Sequence, residues 1–179
     1  QLDDAVKCYE KALAIKPDFA EAHNNLGVTL KELIQLDDAV KSYEKAIAIK
    51  PDFAEAHNNL GIALKELSQL DDAVKSYEKA IAIKPDYIEA HNNLGNALKD
   101  LGQIDRAIKY LEKTLTIKPD YAEVHNNLGI TLGELGQLDH AIKHYEKAIS
   151  IKADYTSAHL NLSYLKKYTA SDPQIAKMQ

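Results

Sequence analysis

Apolar residues recur along this chain at spacings of three and four, the period of an amphipathic helix, and nowhere alternate with polar residues as a strand requires. Residues 52–84 show the pattern clearly. Ala56, Leu60, Ala63, Leu64 and Leu67 define the buried stripe of one helix, and Ala73, Val74, Tyr77, Ala80 and Ile81 define that of a second. Asp52, with Glu55 three residues on, reads as a capping box that starts the first helix. Gln69-Leu70 is the turn between them, and Asp71 and Asp72 put negative charge where the second helix's macrodipole favours it. Pro85 restricts the residue before it, so the second helix is predicted to end near Lys84. The expected fold class is all-α.

The pattern repeats every 34 residues. Pro17, Pro51, Pro85 and Pro119 keep that spacing, as do Gly27, Gly61, Gly95 and Gly129 and the histidines His23, His57, His91, His125 and His159. Residues 20–53 and 54–87 differ at four of 34 positions: Val28/Ile62, Thr29/Ala63, Ile34/Ser68 and Phe53/Tyr87. The expected organisation is an array over 1–169, with a half repeat at 1–19 and full repeats at 20–53, 54–87, 88–121 and 122–155. Residues 156–169 supply the first helix of a sixth, and 170–179 a C-terminal cap or the start of a following region. The sequence begins mid-unit without an initiator Met, which reads as a fragment of something longer.

His57-x2-Leu60-Gly61-x2-Leu64, followed by Ala73-x3-Tyr77, Ala80 and Pro85, resembles the tetratricopeptide repeat in length and order of residues. The resemblance implies an α-solenoid, a right-handed superhelix of antiparallel helix pairs whose first helices line the concave side. Gly61, Ala73 and Ala80 are the small residues that let helices approach at the close end of the 8–10 Å range. His stands where the family usually has Trp, and Leu30, Leu64, Leu98 and Leu132 stand where it usually has Tyr. The turn within each pair carries Gly102 and Gly136 in two units but Ile34 and Ser68 in two others. A left-handed helix end is awkward for a β-branched side chain, so strain is expected at Ile34.

On the first helices the expected groove residues are Glu55, Asn58, Asn59, Ile62, Lys65, Glu66 and their equivalents. Asn24, Asn25, Asn58, Asn59, Asn92, Asn93, Asn96, Asn126, Asn127 and Asn161 account for every asparagine in the chain, and nine of them form the recurring doublet. An amide offers a donor and an acceptor together, so it can pair with a peptide's C=O and N–H. This row resembles the asparagine ladder in the repeat superhelix of O-linked N-acetylglucosamine transferase, which holds peptide backbones. The alternative is that the amides only solvate the groove or bond to the neighbouring helix. The expected function is a protein–protein interaction scaffold that binds an extended peptide or protein segment.

Two further readings stand beside it. The chain is a non-catalytic targeting region of a larger glycosyltransferase- or sulfotransferase-type enzyme, or a self-assembling structural spacer. Residues 162–178 resemble the junction to a sulfotransferase-like domain in bacterial repeat proteins. Val6, Tyr9 and Leu13 should be partly uncovered on the N-terminal helix, which predicts end-to-end contact between copies or a missing preceding unit.

Lys and Arg total 22 and Asp and Glu total 27, a net charge of −5, which argues against a phosphate-neutralising nucleic-acid surface. The longest apolar run is four residues, so neither a membrane span nor a signal peptide is expected, and a cytoplasmic setting follows. Cys8 is the sole cysteine. No phosphate loop, nucleophile elbow or paired-cysteine motif is present, so neither catalysis nor a cofactor is expected. His140 and His144 lie four apart on one helix but lack a third ligand. The repeating histidines lie too far apart to share an ion, so no metal is expected. Asn161-Leu162-Ser163 matches a glycosylation sequon by chance, within a predicted helix.

Overall fold

The computed structural model describes residues 2–171, and every regular element among them is an α-helix. The chain divides into two compact units, Gln1–Leu101 and Gly102–Gln179. The first unit holds α1 (Leu2–Ile15), α2 (Ala20–Glu32), α3 (Leu36–Ile49), α4 (Ala54–Glu66), α5 (Leu70–Ile83) and α6 (Ile88–Asp100). The second holds α7 (Ile104–Ile117), α8 (Ala122–Glu134), α9 (Leu138–Ile151) and α10 (Thr156–Ser171). In each unit a helix packs on its sequence neighbours, and α2, α4 and α6 also touch in succession, as do α8 and α10. Most of the predicted cap at 170–179 lies outside the described residues. Among those described, no helix is long and apolar enough to cross a membrane.

In the pairs α2–α3, α4–α5 and α8–α9 a glycine packs against a tyrosine. A Cβ added to Gly61 would lie 2.6 Å from a ring carbon of Tyr77, and Gly27 against Tyr43 and Gly129 against Tyr145 repeat that distance. The tyrosine ring therefore rests on bare backbone. Ala39, Ala46, Ala73, Ala80, Ala141 and Ala148 are fully buried on the second helices, so the close approach runs along the pair. In the second unit Leu111, Val124, Leu128, Leu132, Ala141 and Tyr145 form one apolar cluster. The α1 helix is covered least: none of its residues is buried, and Val6, Tyr9 and Leu13 are half-buried as expected.

The helix starts differ from expectation. The first helix of the 52–84 pair begins at Ala54, and its N-cap is Phe53, which makes no side-chain capping bond, so Asp52 is not the cap. The reason lies in the preceding loop. Lys50-Pro51-Asp52-Phe53 closes a turn through Phe53 N–H to Lys50 C=O at 3.1 Å, with proline at the position where its fixed φ suits a turn. The Lys50 ammonium then sits 4.7 Å from the centre of the Phe53 ring. The same cation–π contact recurs for Lys16 and Phe19, Lys84 and Tyr87, Lys118 and Tyr121, and Lys152 and Tyr155, at 4.6–5.5 Å.

The helix ends match expectation. Ile34 N–H bonds to Lys31 C=O and Gln35 N–H to Leu30 C=O, both at 2.9 Å, the paired bonds of a Schellman motif. That motif needs a left-handed residue, and Ile34 takes φ 62° and Ser68 φ 61° where Gly102 and Gly136 take 73° and 78°.

Two substitutions test these contacts in urea denaturation. Gly61→Leu should lower stability by at least about 2 kcal/mol through overpacking, and should cost less in a Tyr77→Ala background. Ile34→Gly should raise stability by about 1 kcal/mol, because left-handed backbone penalises L side chains and Ile34, 82% exposed, gives up no packing.

Candidate functional site

The solvent-facing strip of each first helix follows steps of four, three and four residues. In α4 it is Glu55, Asn59, Ile62 and Glu66, and in α2 Glu21, Asn25, Val28 and Glu32. In α6 it is Glu89, Asn93, Asn96 and Asp100, and in α8 Glu123, Asn127, Ile130 and Glu134. Asn25 is exposed, whereas Asn59, Asn93, Asn96, Asn127 and Asn161 are half-buried.

The first asparagine of each doublet lies elsewhere. Asn24, Asn58, Asn92 and Asn126 are buried at 2–4% exposure, so the expectation that both members open onto a groove is corrected for these four. Asn59 Nδ2 donates to Asn24 Oδ1 at 3.1 Å, Asn93 Nδ2 to Asn58 Oδ1 at 3.1 Å, and Asn161 Nδ2 to Asn126 Oδ1 at 3.0 Å. A buried amide oxygen needs a donor, and the next first helix supplies it. The second asparagine is therefore held by one N–H in a fixed direction. Among the described residues its remaining N–H and its Oδ1 find no further partner in Asn59, Asn93 or Asn161. The sequence carried a signal for the division: steps of three and four back from Gly61 reach Asn58 and His57, placing Asn58 on the packed face.

Lysines cross between helices below the amides. Lys31 lies 3.9 Å from Glu66 and Lys65 lies 2.9 Å from Asp100, which Lys99 also reaches at 3.0 Å. Burial works against ionisation of Asp100, yet the two lysines outweigh it and hold its carboxyl below its ordinary value. On the first unit's strip Glu21, Glu32, Glu55, Glu66, Glu89 and Asp100 outnumber Lys31, Lys65 and Lys99 together with Lys50, which reaches Glu21 at 3.2 Å, so the strip is net acidic.

The repeating histidines are structural. His23, His57, His91 and His125 are buried, and each Nε2 lies 2.8–3.1 Å from the carbonyl of the proline six residues earlier. A carbonyl only accepts, so Nε2 carries the proton and the ring pins the first helix to the loop before it. His125 has a second partner: its Nδ1 lies 3.0 Å from Nδ1 of His144, with the rings stacked at 5.2 Å. Since His125 Nε2 holds the proton, His144 is the donor. Burial and the neighbouring His125 and His140 lower the His144 pKa to about 4, and burial lowers that of His125. Among the described residues no three His, Cys, Asp or Glu side chains cluster to hold a metal ion.

Family models described as "TPR repeat" match residues 1–33, 35–68 and 63–102, and models described as "Tetratricopeptide repeat" match 86–154 and 19–50. The chain belongs to the tetratricopeptide repeat family. Arrays of this family present extended binding surfaces, and this chain is accordingly a protein–protein interaction scaffold. No curated protein matches it. Among solved structures it is similar to MamA at 30% identity and a TM-score of 0.80, over 85% of this chain and 89% of that one. YrrB, described as a TPR protein with an unusual peptide-binding site, is 21% identical with a TM-score of 0.77, over 97% and 89% of the two chains. TTC0263, a thermophilic TPR protein from Thermus thermophilus, is 22% identical with a TM-score of 0.75, over 93% and 91%. The last two likenesses concern the fold.

The histidine pair gives a pH dependence with a definite sign. A histidine whose folded pKa lies below the unfolded value of about 6.5 adds stability that is complete above pH 6.5 and lost as the pH falls toward the folded pKa. The unfolding free energy from urea denaturation should therefore fall between pH 6.5 and 4 by more in the native chain than in His144→Ser, a difference on the order of 2 kcal/mol.

Proposed function

We propose that the first-helix strip binds an extended polypeptide segment, and that the second asparagine of each doublet reads the segment's backbone. The observation that carries this reading is the one-sided fixing of Asn59, Asn93 and Asn161. One N–H is tied to the preceding helix, which orients the other N–H and Oδ1 as a donor–acceptor pair. A peptide unit offers the complementary pair. Helices spaced about 10 Å apart match about three residues of extended chain, at 3.3–3.6 Å each. Asn25, Asn59 and Asn93 thus meet about six residues of ligand. Asn96 replaces the Val28, Ile62 and Ile130 of the other strips and adds a polar contact in the middle of this one. The acidic excess favours neutral or basic segments over acidic ones. The chain's part in this reading is to bind, with no catalytic step.

Random-sequence 12-residue peptides selected on the immobilised protein supply the probe. Asn25→Ala should weaken the selected peptides several-fold with an unchanged melting temperature, because Asn25 is exposed and forms none of the interhelix ties. Asn59→Ala should weaken them and also cost about 1 kcal/mol of stability, because it strips the buried Asn24 oxygen of its donor. Selected peptides that bind both variants at native affinity overturn the proposal.

A further inference from the structure

In the second unit, a cavity of 410 Å³ opens between α7 and α9, away from the asparagine strip. Asp105 and Glu112 reach it from α7, where a spacing of two helical turns puts them on one side. His140 and His144 reach it from α9, one turn apart on one side of that helix. Leu132 and Leu135 supply its apolar lining, and Leu135 is 43% exposed. No lysine or arginine is among its lining residues.

The polar groups of this cavity are acceptors with nothing to accept. His144 donates from Nδ1 to His125 Nδ1 at 3.0 Å, and with a pKa of about 4 its ring is neutral at pH 7, so Nε2 is a bare acceptor. That Nε2 finds no partner among the described residues, and it is open to the surface rather than sealed. His140 Nδ1 lies 3.2 Å from Gln137 Oε1, which only accepts, so Nδ1 carries a proton and Nε2 is the free nitrogen. Among the described residues neither the Asp105 nor the Glu112 carboxylate has an ion-pair or hydrogen-bond partner. The first unit differs at the same positions. Asp72 stands in the place of His140 and is paired with Lys75 at 2.8 Å, and Ser76 stands in the place of His144 and bonds back to Asp72 C=O at 2.9 Å.

We propose that this cavity receives an arginine side chain of a partner polypeptide, whose guanidinium donates to His144 Nε2 and to the carboxylates of Asp105 and Glu112. Two carboxylates with no cation among the lining residues favour a positively charged occupant. Among the described residues no three His, Cys, Asp or Glu side chains come close enough to hold a metal ion. A guanidinium suits such dispersed acceptors, because its N–H groups fan out from several nitrogens in one plane, whereas an ammonium donates from a single atom. Leu132 and Leu135 cover the methylene stem. The volume lies within the range of about 300–1,000 Å³ found for ordinary ligand pockets. The site uses none of the asparagines, so it stands or falls apart from the peptide-binding strip.

Nα-acetyl-arginine amide is the probe, since its blocked ends leave only the side chain charged. It should produce saturable NMR shifts at the methyl groups of Leu132 and Leu135. The citrulline counterpart, which keeps the shape and loses the charge, and the lysine counterpart should each bind at least several-fold more weakly. Glu112→Gln and His144→Ser should each weaken the arginine probe several-fold, with methyl spectra that check the fold. Asp139→Asn, the same loss of charge on α9 outside the cavity, should leave its affinity unchanged. The absence of saturable shifts, equal binding of the citrulline or lysine counterpart, native affinity in Glu112→Gln or His144→Ser, or an equal loss in Asp139→Asn overturns the proposal.

Discussion

The approach of two helices to the distance of a ring on bare backbone is the constraint from which the rest follows. Gly27, Gly61 and Gly129 admit Tyr43, Tyr77 and Tyr145 at a separation that leaves no room for a single added carbon. That contact fixes the first helix against the second and hence sets which residues of the first helix turn outward. A 13-residue helix offers little stability alone, and its place comes from this packing rather than from propensity. Asparagine and histidine, indifferent helix formers, are tolerated in it for that reason.

Between first helices the cohesive element is polar. Each buried amide oxygen of Asn24, Asn58 and Asn126 is met by an N–H from the next first helix. A net hydrogen bond is worth about 1 kcal/mol, but leaving the buried oxygen bare costs about 1–3. The bond therefore acts mainly by penalising displaced arrangements. An apolar contact would tolerate a slide of one helix along the other, whereas an amide pair tolerates very little.

The repeat period, both helices of each pair and the strain at Ile34 were legible in the sequence, because each follows from local chemistry: spacing, proline, and the left-handed turn. The helix starts were misread at Asp52. An aspartate followed by a glutamate three residues on is a local pattern. The competing arrangement, a proline turn with Lys50 over Phe53, depends on the lysine and ring meeting in space. The asparagine doublet was half legible. Both members are polar and adjacent, so composition treats them alike, and only the 100° between consecutive residues of a helix sends one inward and one outward. The His125–His144 contact was hidden because it joins residues 19 apart on different helices, while the helical spacing of His140 and His144 drew attention to the wrong pair.

Near-identical repeats constrain what a binding surface of this kind can recognise. A feature present in every copy meets the same environment at each step, so it can respond only to what is periodic in the ligand, and in an extended peptide that is the backbone. The second asparagines are such a feature on the proposed reading. Register and selectivity must then come from positions where copies differ: Asn96 among Val28, Ile62 and Ile130, Gly133 in the place of Lys31, Lys65 and Lys99, and His144 in the place of Ser42 and Ser76. Duplication supplies the first kind of residue and later substitution the second.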